Sequence, residues 1–141
     1  MSIAMDAACL QCSLRRNIET VQSLGSAEET MEKLAKNHRL FIVSNSQQGY
    51  PELCIEKLGL TDLIQGHLCF GDTGTSKGKT IRALMEKHGI TDCAYIGDTQ
   101  GDYEATVEAG VPFIWAAYGF GEPAGYDHKI DTFSDLLRLP D

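Results

Sequence analysis

The chain has 141 residues, 43% of them hydrophobic and 23% charged, which is typical of one globular domain with a single core. Its formal net charge of −8 argues against general nucleic-acid binding, because that function needs a basic stripe and the Lys and Arg residues are scattered among acids. No apolar run approaches the roughly 20 residues that span a bilayer, and the N-terminus lacks the pattern of a secretory signal. We therefore expect a single cytoplasmic domain over residues 1–141, with residues 1–23 atypical, and neither nucleic-acid nor membrane partners.

Helical and strand patterns alternate from Leu24 onward. Residues 25–37 place Ser26 and Glu29 at capping-box spacing ahead of an amphipathic run, which predicts a helix. Residues 39–45 form the continuous apolar run of a strand buried on both faces. The alternation continues with helices over 50–60, 76–89, 102–110 and 132–139, strands over 67–70, 93–98 and 112–119, and a loop over 119–129. Strands separated by helices form βα units, so the predicted fold class is α/β, a three-layer Rossmann-like parallel sheet.

The five cysteines are predicted to be reduced. Cys54, Cys69 and Cys93 lie in apolar runs, where a thiol behaves as a small hydrophobe, and five is an odd number. Cys9 and Cys12 form a C-x-x-C pair, but no partner stands at zinc-ligand spacing, so we interpret them as incidental thiols.

Small, hydroxyl and acidic residues follow the predicted strands. In an open parallel sheet, ligands bind beyond the carboxyl ends of the strands, which meet at one edge. The residues at those ends are 44–46, 71–73, 97–99 and 118–119. Each of them alone is as well explained by a turn, a helix cap or a solvated side chain. Their gathering on one edge predicts a binding site.

One interpretation of this edge is phosphoryl transfer on a metal, because the charge of a transferring phosphoryl group is neutralised by a cation, a lysine or amides. Asp98, directly after a strand, is a candidate ligand for Mg²⁺, which prefers carboxylate oxygens. Asp102, one helical turn on, is a candidate for orienting the metal's water shell or for holding a lysine. Ser44 and the amide of Asn45 are candidates for binding phosphate, and Lys77 for supplying positive charge.

A nucleotide-binding loop is the weaker interpretation. The stretch "GDTGTSKGKT", residues 71–80, comes within one residue of the pattern G-x-x-x-x-G-K-[ST]. Thr73 stands where the first glycine is required, and that glycine lets the backbone curl round a phosphate. In this interpretation Lys79 is the essential lysine, and its replacement is expected to abolish ATP binding.

Three stretches in order, "FIVSNS" (residues 41–46), "TSKGK" (75–79) and "YIGDTQGD" (95–102), resemble the second, third and fourth motifs of the haloacid dehalogenase (HAD) superfamily. The resemblance is greatest to its phosphoglycolate-phosphatase-like members, and it runs from about Leu24 to the end of the chain, including "YGFG" after the last strand. The fourth motif, with a strand before it, is fairly specific, whereas the lysine motif alone is weak.

The resemblance implies a role for each motif residue. Ser44 would bind the transferring phosphate, Asp98 would ligate Mg²⁺, and Asp102 would support the metal shell. Lys77 would pair with the phosphate and the nucleophile, because the family's lysine usually precedes a small residue or proline, with Lys79 as the alternative.

The family's first motif, D-x-D-x-T on the first strand, is missing, because the chain contains no D-x-D at any position. Its leading Asp attacks phosphorus and its second Asp acts as acid and base. The nearest stretch is "SIAMDAACL", where Asp6 follows a short apolar run and Ala8 stands in place of the second carboxylate. The family's usual cap is also not visible before Leu24.

The first strand of the family lies in the middle of the sheet, so we expect a core that lacks this strand and leaves two ladder edges to be filled. The first ten residues are candidates for the slot, although Ala4, Ala7 and Ala8 favour helix. The alternatives are that the two edges close on each other, that a second copy supplies a strand in a homo-oligomer, or that the chain is a fragment.

Two functional hypotheses follow. The first is a Mg²⁺-dependent phosphatase acting on a small phosphorylated metabolite, complete only if Asp6 or another chain supplies the nucleophile. The second is a non-catalytic remnant that binds metal, phosphate or a partner.

Overall fold

All described strands belong to one parallel sheet. In chain order they are β1 (Ser2–Asp6), β2 (Arg39–Ser44), β3 (Ile64–Cys69), β4 (Cys93–Gly97), β5 (Phe113–Ala116) and β6 (His128–Ile130). Their spatial order is β3-β2-β1-β4-β5-β6, and every neighbouring pair is parallel. These bounds come from a computed structural model, which describes residues 2–6, 26–44, 50–57, 59, 61–117, 121–131 and 133–138. The predicted parallel α/β sheet is confirmed.

Helices separate the strands up to β5, as the alternating pattern predicts, and one more helix follows β6. They are α1 (Ser26–Asn37), α2 (Tyr50–Lys57), the short α3 (Phe70–Thr73), α4 (Lys77–His88), α5 (Gln100–Ala109) and a final 3₁₀ helix (Phe133–Arg138). Gly89 and Gly110 end α4 and α5 in the left-handed conformation, with φ of 63° and 75°. Several predicted bounds differ. β3 begins three residues before position 67, α5 begins two residues before position 102, β5 ends at Ala116, and the last predicted helix is a 3₁₀ helix.

β6 begins within the segment that is predicted to be a loop and extends one residue beyond it. Its three residues are too few to display a strand period, so pairing with β5 defines it. The Ala117 N–H donates to the Ile130 carbonyl at 2.9 Å, and the Asp127 N–H donates to the Phe113 carbonyl at 2.9 Å. Neighbouring backbone, rather than local sequence, makes this segment a strand.

The expected absence of the central strand is wrong, because β1 fills the slot between β2 and β4. Asp6 stands opposite Val43 on one side, and Met5 stands opposite Ile96 on the other. Ala4, whose helix preference argued against a strand, is 0% exposed. That preference is worth a fraction of a kcal/mol, and two backbone ladders together with burial outweigh it.

Alternate residues of each strand pack on opposite faces of the sheet. On one face, Ile3 and Met5 belong to a hydrophobic cluster with Met31 of α1. On the other face, Ala4 belongs to a second cluster with Ile81 of α4. The sheet is therefore the middle of three layers, as the sequence predicts.

The position of β1 bears on the prediction of a homo-oligomer. An unfilled central slot was the reason to expect a homo-oligomer, and β1 removes that reason.

The predicted absence of a cap concerns residues 7–25, which lie outside the described residues together with Cys9 and Cys12. Among the described helices, none is long and apolar enough to cross a membrane.

Cys69 and Cys93 are buried cysteines that form no disulfide. Burial raises the pKa of the Cys93 thiol to about 11, so this side chain stays protonated at neutral pH. The prediction of reduced, hydrophobic cysteines is confirmed for these two.

Candidate functional site

Three central strands end at one edge of the sheet and bring the predicted site residues together there. Asp6 is the last residue of β1, Ser44 is the last residue of β2, and Asp98 directly follows β4. Ser44 and Asp98 are buried, with 6% and 4% of their surface exposed. The side chain of Asp6 and the whole of Asn45 lie outside the described residues.

Asp102 folds back from α5 onto the loop that follows β4. Its Oδ2 accepts hydrogen bonds from the backbone N–H of Asp98 at 3.1 Å and of Thr99 at 3.2 Å. The Thr99 hydroxyl donates to the same oxygen at 3.0 Å and accepts from the Asp102 N–H at 3.1 Å, which completes a capping box. This network fixes the start of α5 and the backbone that carries Asp98.

Lys77 reaches the other oxygen of the same carboxylate. Its Nζ donates to Asp102 Oδ1 at 2.7 Å, and the two side chains are 12% and 2% exposed. The Tyr95 hydroxyl donates to Oδ1 at 3.4 Å, and Nζ lies 6.0 Å from the Tyr95 ring centroid. The pair is thus a buried, charge-assisted hydrogen bond, which holds a positive charge beside the strand ends.

Lys77, rather than the alternative Lys79, makes this contact. Lys79 is exposed, and its backbone N–H donates to the hydroxyl of Ser76, the N-cap residue of α4, at 3.4 Å. The prediction of Lys77 rested on the small residue that follows it in the sequence, and it agrees with this geometry. Both functional assignments stay predictions.

The segment of the nucleotide-loop interpretation has a different geometry from a phosphate-binding loop. Its first three residues, 71–73, belong to the helical turn α3 (Phe70–Thr73), directly after β3. The hydroxyls of Thr73 and Thr80 are 2.8 Å apart, so the segment packs on itself at the edge strand of the sheet. This arrangement favours the metal and phosphate interpretation over the nucleotide one.

Two contacts of the site were missed from the sequence. Tyr95 was interpreted only as part of a strand, yet its hydroxyl donates to Asp102. The Gly121 backbone lies against Asp98, because a Cβ at Gly121 would be 2.5 Å from the Asp98 carbonyl oxygen. The T-x-x-D spacing from Thr99 is a capping-box signal that was available in the sequence. Gly121 is the last residue of the "YGFG" stretch that the resemblance includes, although its contact with Asp98 was not predicted, and no local signal identifies the contact of Tyr95.

Asp102 was predicted to be a metal ligand or a holder of lysine. Both of its oxygens accept hydrogen bonds from protein donors, and the lysine contact is the one that the geometry displays. Among the described residues, no group of three or more His, Cys, Asp or Glu side chains is arranged to hold a metal ion. Metal binding by Asp98 or Asp102 stays a prediction.

Gly97 is required for the Asp102 carboxylate to fold back, because a Cβ at this position would lie 2.5 Å from Asp102 Cγ. We expect Gly97→Ala to lower the free energy of unfolding by about 1 to 3 kcal/mol, since both groups are buried and cannot move apart cheaply. Urea denaturation measures this loss. Gly101→Ala is the matched control, because the nearest atom to its Cβ is 3.7 Å away; equal losses in the two variants would contradict the packing argument.

The fold and the site define a three-layer α/β core whose acidic and hydroxyl residues, with one buried lysine, meet at the carboxyl ends of the central strands. Residues 10–116 match the family model of the haloacid dehalogenase-like hydrolases, and the chain belongs to this family. The resemblance of the three motifs is thereby confirmed. No curated protein matches the chain.

Solved structures with this fold are similar to the chain at low sequence identity. A haloacid dehalogenase-like hydrolase from Streptococcus pneumoniae has a TM-score of 0.76 and 15% identity, over 97% of this chain and 96% of that one. A protein described as a predicted phosphoglycolate phosphatase from Haemophilus somnus has a TM-score of 0.75 and 16% identity, over 97% and 96%. A subfamily IA hydrolase from Geobacter sulfurreducens has a TM-score of 0.69 and 15% identity over 79% of this chain, which spans about half (52%) of that structure.

Proposed function

We propose that the chain is a Mg²⁺-dependent phosphatase acting on a small phosphorylated metabolite. One observation carries this proposal: β1 ends at Asp6 between the strand ends that bear Ser44 and Asp98. The first ten residues were one of the candidates for the central slot, and Asp6 ends the strand that they form there. The family membership and the description of a neighbour as a phosphoglycolate phosphatase support the same activity.

The donor set at this edge fits a hard cation. Asp6 ends β1 and Asp98 directly follows the adjacent parallel strand β4, with Met5 opposite Ile96 in register. Carboxylate oxygens are the ligands that Mg²⁺ prefers. When bound, Mg²⁺ neutralises charge on the phosphoryl oxygens. Asp98 is the proposed ligand, and Asp102 supports the site through Lys77 and the loop backbone.

In the proposed reaction a carboxylate oxygen of Asp6 attacks phosphorus. A new O–P bond forms, and the ester O–P bond breaks with its electron pair leaving on the alcohol oxygen. Water then attacks the aspartyl phosphate, releases inorganic phosphate and returns the carboxylate. Ser44 binds a phosphoryl oxygen, and the Lys77 ammonium offsets the charge that the two anionic reactants bring together.

Ala8 stands where the family has its acid and base, so the leaving oxygen takes its proton from solvent. Esters with a weakly basic leaving group are therefore the best substrates in this proposal, because their alcohol oxygen departs without protonation. The same substitution favours the second candidate, a protein that retains the site and has lost its chemistry.

The test is hydrolysis of 4-nitrophenyl phosphate with and without Mg²⁺, by chains shown to be folded by circular dichroism. We expect turnover that needs Mg²⁺, that falls roughly a thousandfold or more in Asp6→Asn, and that falls about a hundredfold or more in Asp98→Asn. Asp92→Asn is the control, because Asp92 is an exposed acid just before β4, at the opposite end of that strand. A folded chain with no turnover above the Asp6→Asn level would support the non-catalytic candidate instead.

A further inference from the structure

Glu108 lies where its own helix disfavours it. It is in the last turn of α5, just before the C-cap Gly110, and an acidic side chain there opposes the helix dipole. That turn contains no basic residue. When a residue conflicts with its local structure, a tertiary contact is the usual compensation.

The compensating contact is with the first turn of α4. Ser76 is the N-cap residue of that helix, and its hydroxyl donates to Glu108 Oε1 at 2.7 Å. Gly78, in the same turn, allows the approach, because a Cβ there would overlap the Glu108 carboxylate. The carboxylate therefore lies at the N-terminus of α4, where the helix dipole favours a negative charge.

This contact stands beside the Lys77 ion pair. Lys77 is the first residue of α4, between Ser76 and Gly78, and its ammonium contacts Asp102 on α5. The two helices are thus joined twice at the same turn, by Lys77 with Asp102 and by Ser76 with Glu108. Asp102 and Glu108 are six positions apart, which corresponds to about 9 Å along α5, so the second contact limits rotation of the turn about the first.

We propose that Glu108 is a positioning residue that holds the Lys77 ammonium in place at the strand ends. It acts through Ser76 and the Gly78 backbone and does not itself touch the substrate. The inference rests on the proposed function, in which Lys77 offsets charge on the reacting phosphoryl group. Displacement of a charged group by about an ångström can lower a rate a hundredfold, so a loosened turn should affect kcat more than KM.

The experiment compares Glu108→Ala and Glu108→Gln with Glu104→Ala, an exposed glutamate of the same helix. Two readouts are taken: kcat and KM for 4-nitrophenyl phosphate, and the rate at which the Lys77 amine is acetylated, measured by mass spectrometry relative to the exposed Lys87. We expect Glu108→Ala to lower kcat about tenfold and to raise relative Lys77 acetylation several-fold. Glu108→Gln keeps an acceptor oxygen and should stay within about threefold of wild type, and Glu104→Ala should match it.

The acetylation readout separates this inference from the proposed function. If Lys77 is acetylated equally in Glu108→Ala and wild type, the positioning role is wrong whatever the phosphatase activity. If acetylation rises and the wild-type chain hydrolyses no phosphate ester, Glu108 positions Lys77 and the proposed catalysis is wrong. Gly78→Ala tests the same contact from the other helix, because its methyl group displaces Glu108 and should raise Lys77 acetylation as well.

Discussion

Ala4→Asp is expected to unfold the protein or to lower its melting temperature by more than about 10 °C. Ala4 is the middle residue of β1 and is 0% exposed, opposite Phe41 of β2 and Tyr95 of β4. Both residues paired with position 4 are aromatic, so a carboxylate there is buried without a paired cation. The cost of an uncompensated buried charge, about 3 to 5 kcal/mol or more, is a large part of the 5 to 15 kcal/mol by which a domain is stable.

Thermal denaturation followed by circular dichroism measures this effect. Ala124→Asp is the control, because it makes the same substitution at an exposed residue and should change the melting temperature by no more than about 2 °C. Equal melting temperatures for Ala4→Asp and wild type would mean that β1 does not occupy the centre of the sheet. In that case Asp6 would also lose its place in the proposed site.

Asp102→Ala is expected to lower the free energy of unfolding by about 3 to 5 kcal/mol, and Lys77→Met by markedly less. Asp102 is the shared acceptor: its removal takes the carboxylate from the buried Lys77 ammonium and from the N–H groups of Asp98 and Thr99. Lys77→Met instead removes the charge and keeps an apolar stem, while Asp102 retains its three donors to Oδ2 and the Tyr95 hydroxyl. In Lys77→Met, one buried carboxylate keeps its other hydrogen bonds, whereas in Asp102→Ala several buried donors lose their acceptor. The second change therefore lowers the free energy of unfolding more than the first.

Urea denaturation of both single variants and of the double variant tests this asymmetry. The loss of free energy of unfolding in the double variant should be smaller than the sum of the losses in the two single variants. Once Lys77 is replaced, removal of Asp102 no longer leaves a buried ammonium without its carboxylate. Glu32→Ala, an exposed acid on α1, is the control for loss of a carboxylate and should change stability by less than about 0.5 kcal/mol. Equal losses from Lys77→Met and Asp102→Ala would mean that the network at Oδ2 contributes little.

The sequence motif alone only weakly distinguishes which of Lys77 and Lys79 is the site lysine. The sequence offers Lys77 and Lys79 two positions apart at the start of one helix, and local pattern favours the first only through the glycine after it. On an α-helix, residues two apart point in different directions, so only one of the two can face α5. The tertiary structure decides this, because the Lys77 ammonium reaches Asp102 and Lys79 is exposed.

The sequence by itself determined the features that depend on neighbours along the chain. The helical period and the caps predicted α1, α4 and α5, and the apolar runs predicted β2 and β4, because these signals repeat within a few residues. The order of motifs along the chain predicted that Ser44 and Asp98 share one edge, since parallel strands end together.

Only the tertiary structure decided what depends on residues far apart in the chain. β1 is a short, alanine-containing strand that owes its conformation to the ladders of β2 and β4, so local propensity argued against it. The contact of Glu108 with Ser76 joins two residues that are 32 positions apart, and on its own helix Glu108 is merely unfavourable. Hydrogen bonds and burial across the sheet and between helices outweigh local preferences of a fraction of a kcal/mol, which is why these features do not appear in the sequence pattern.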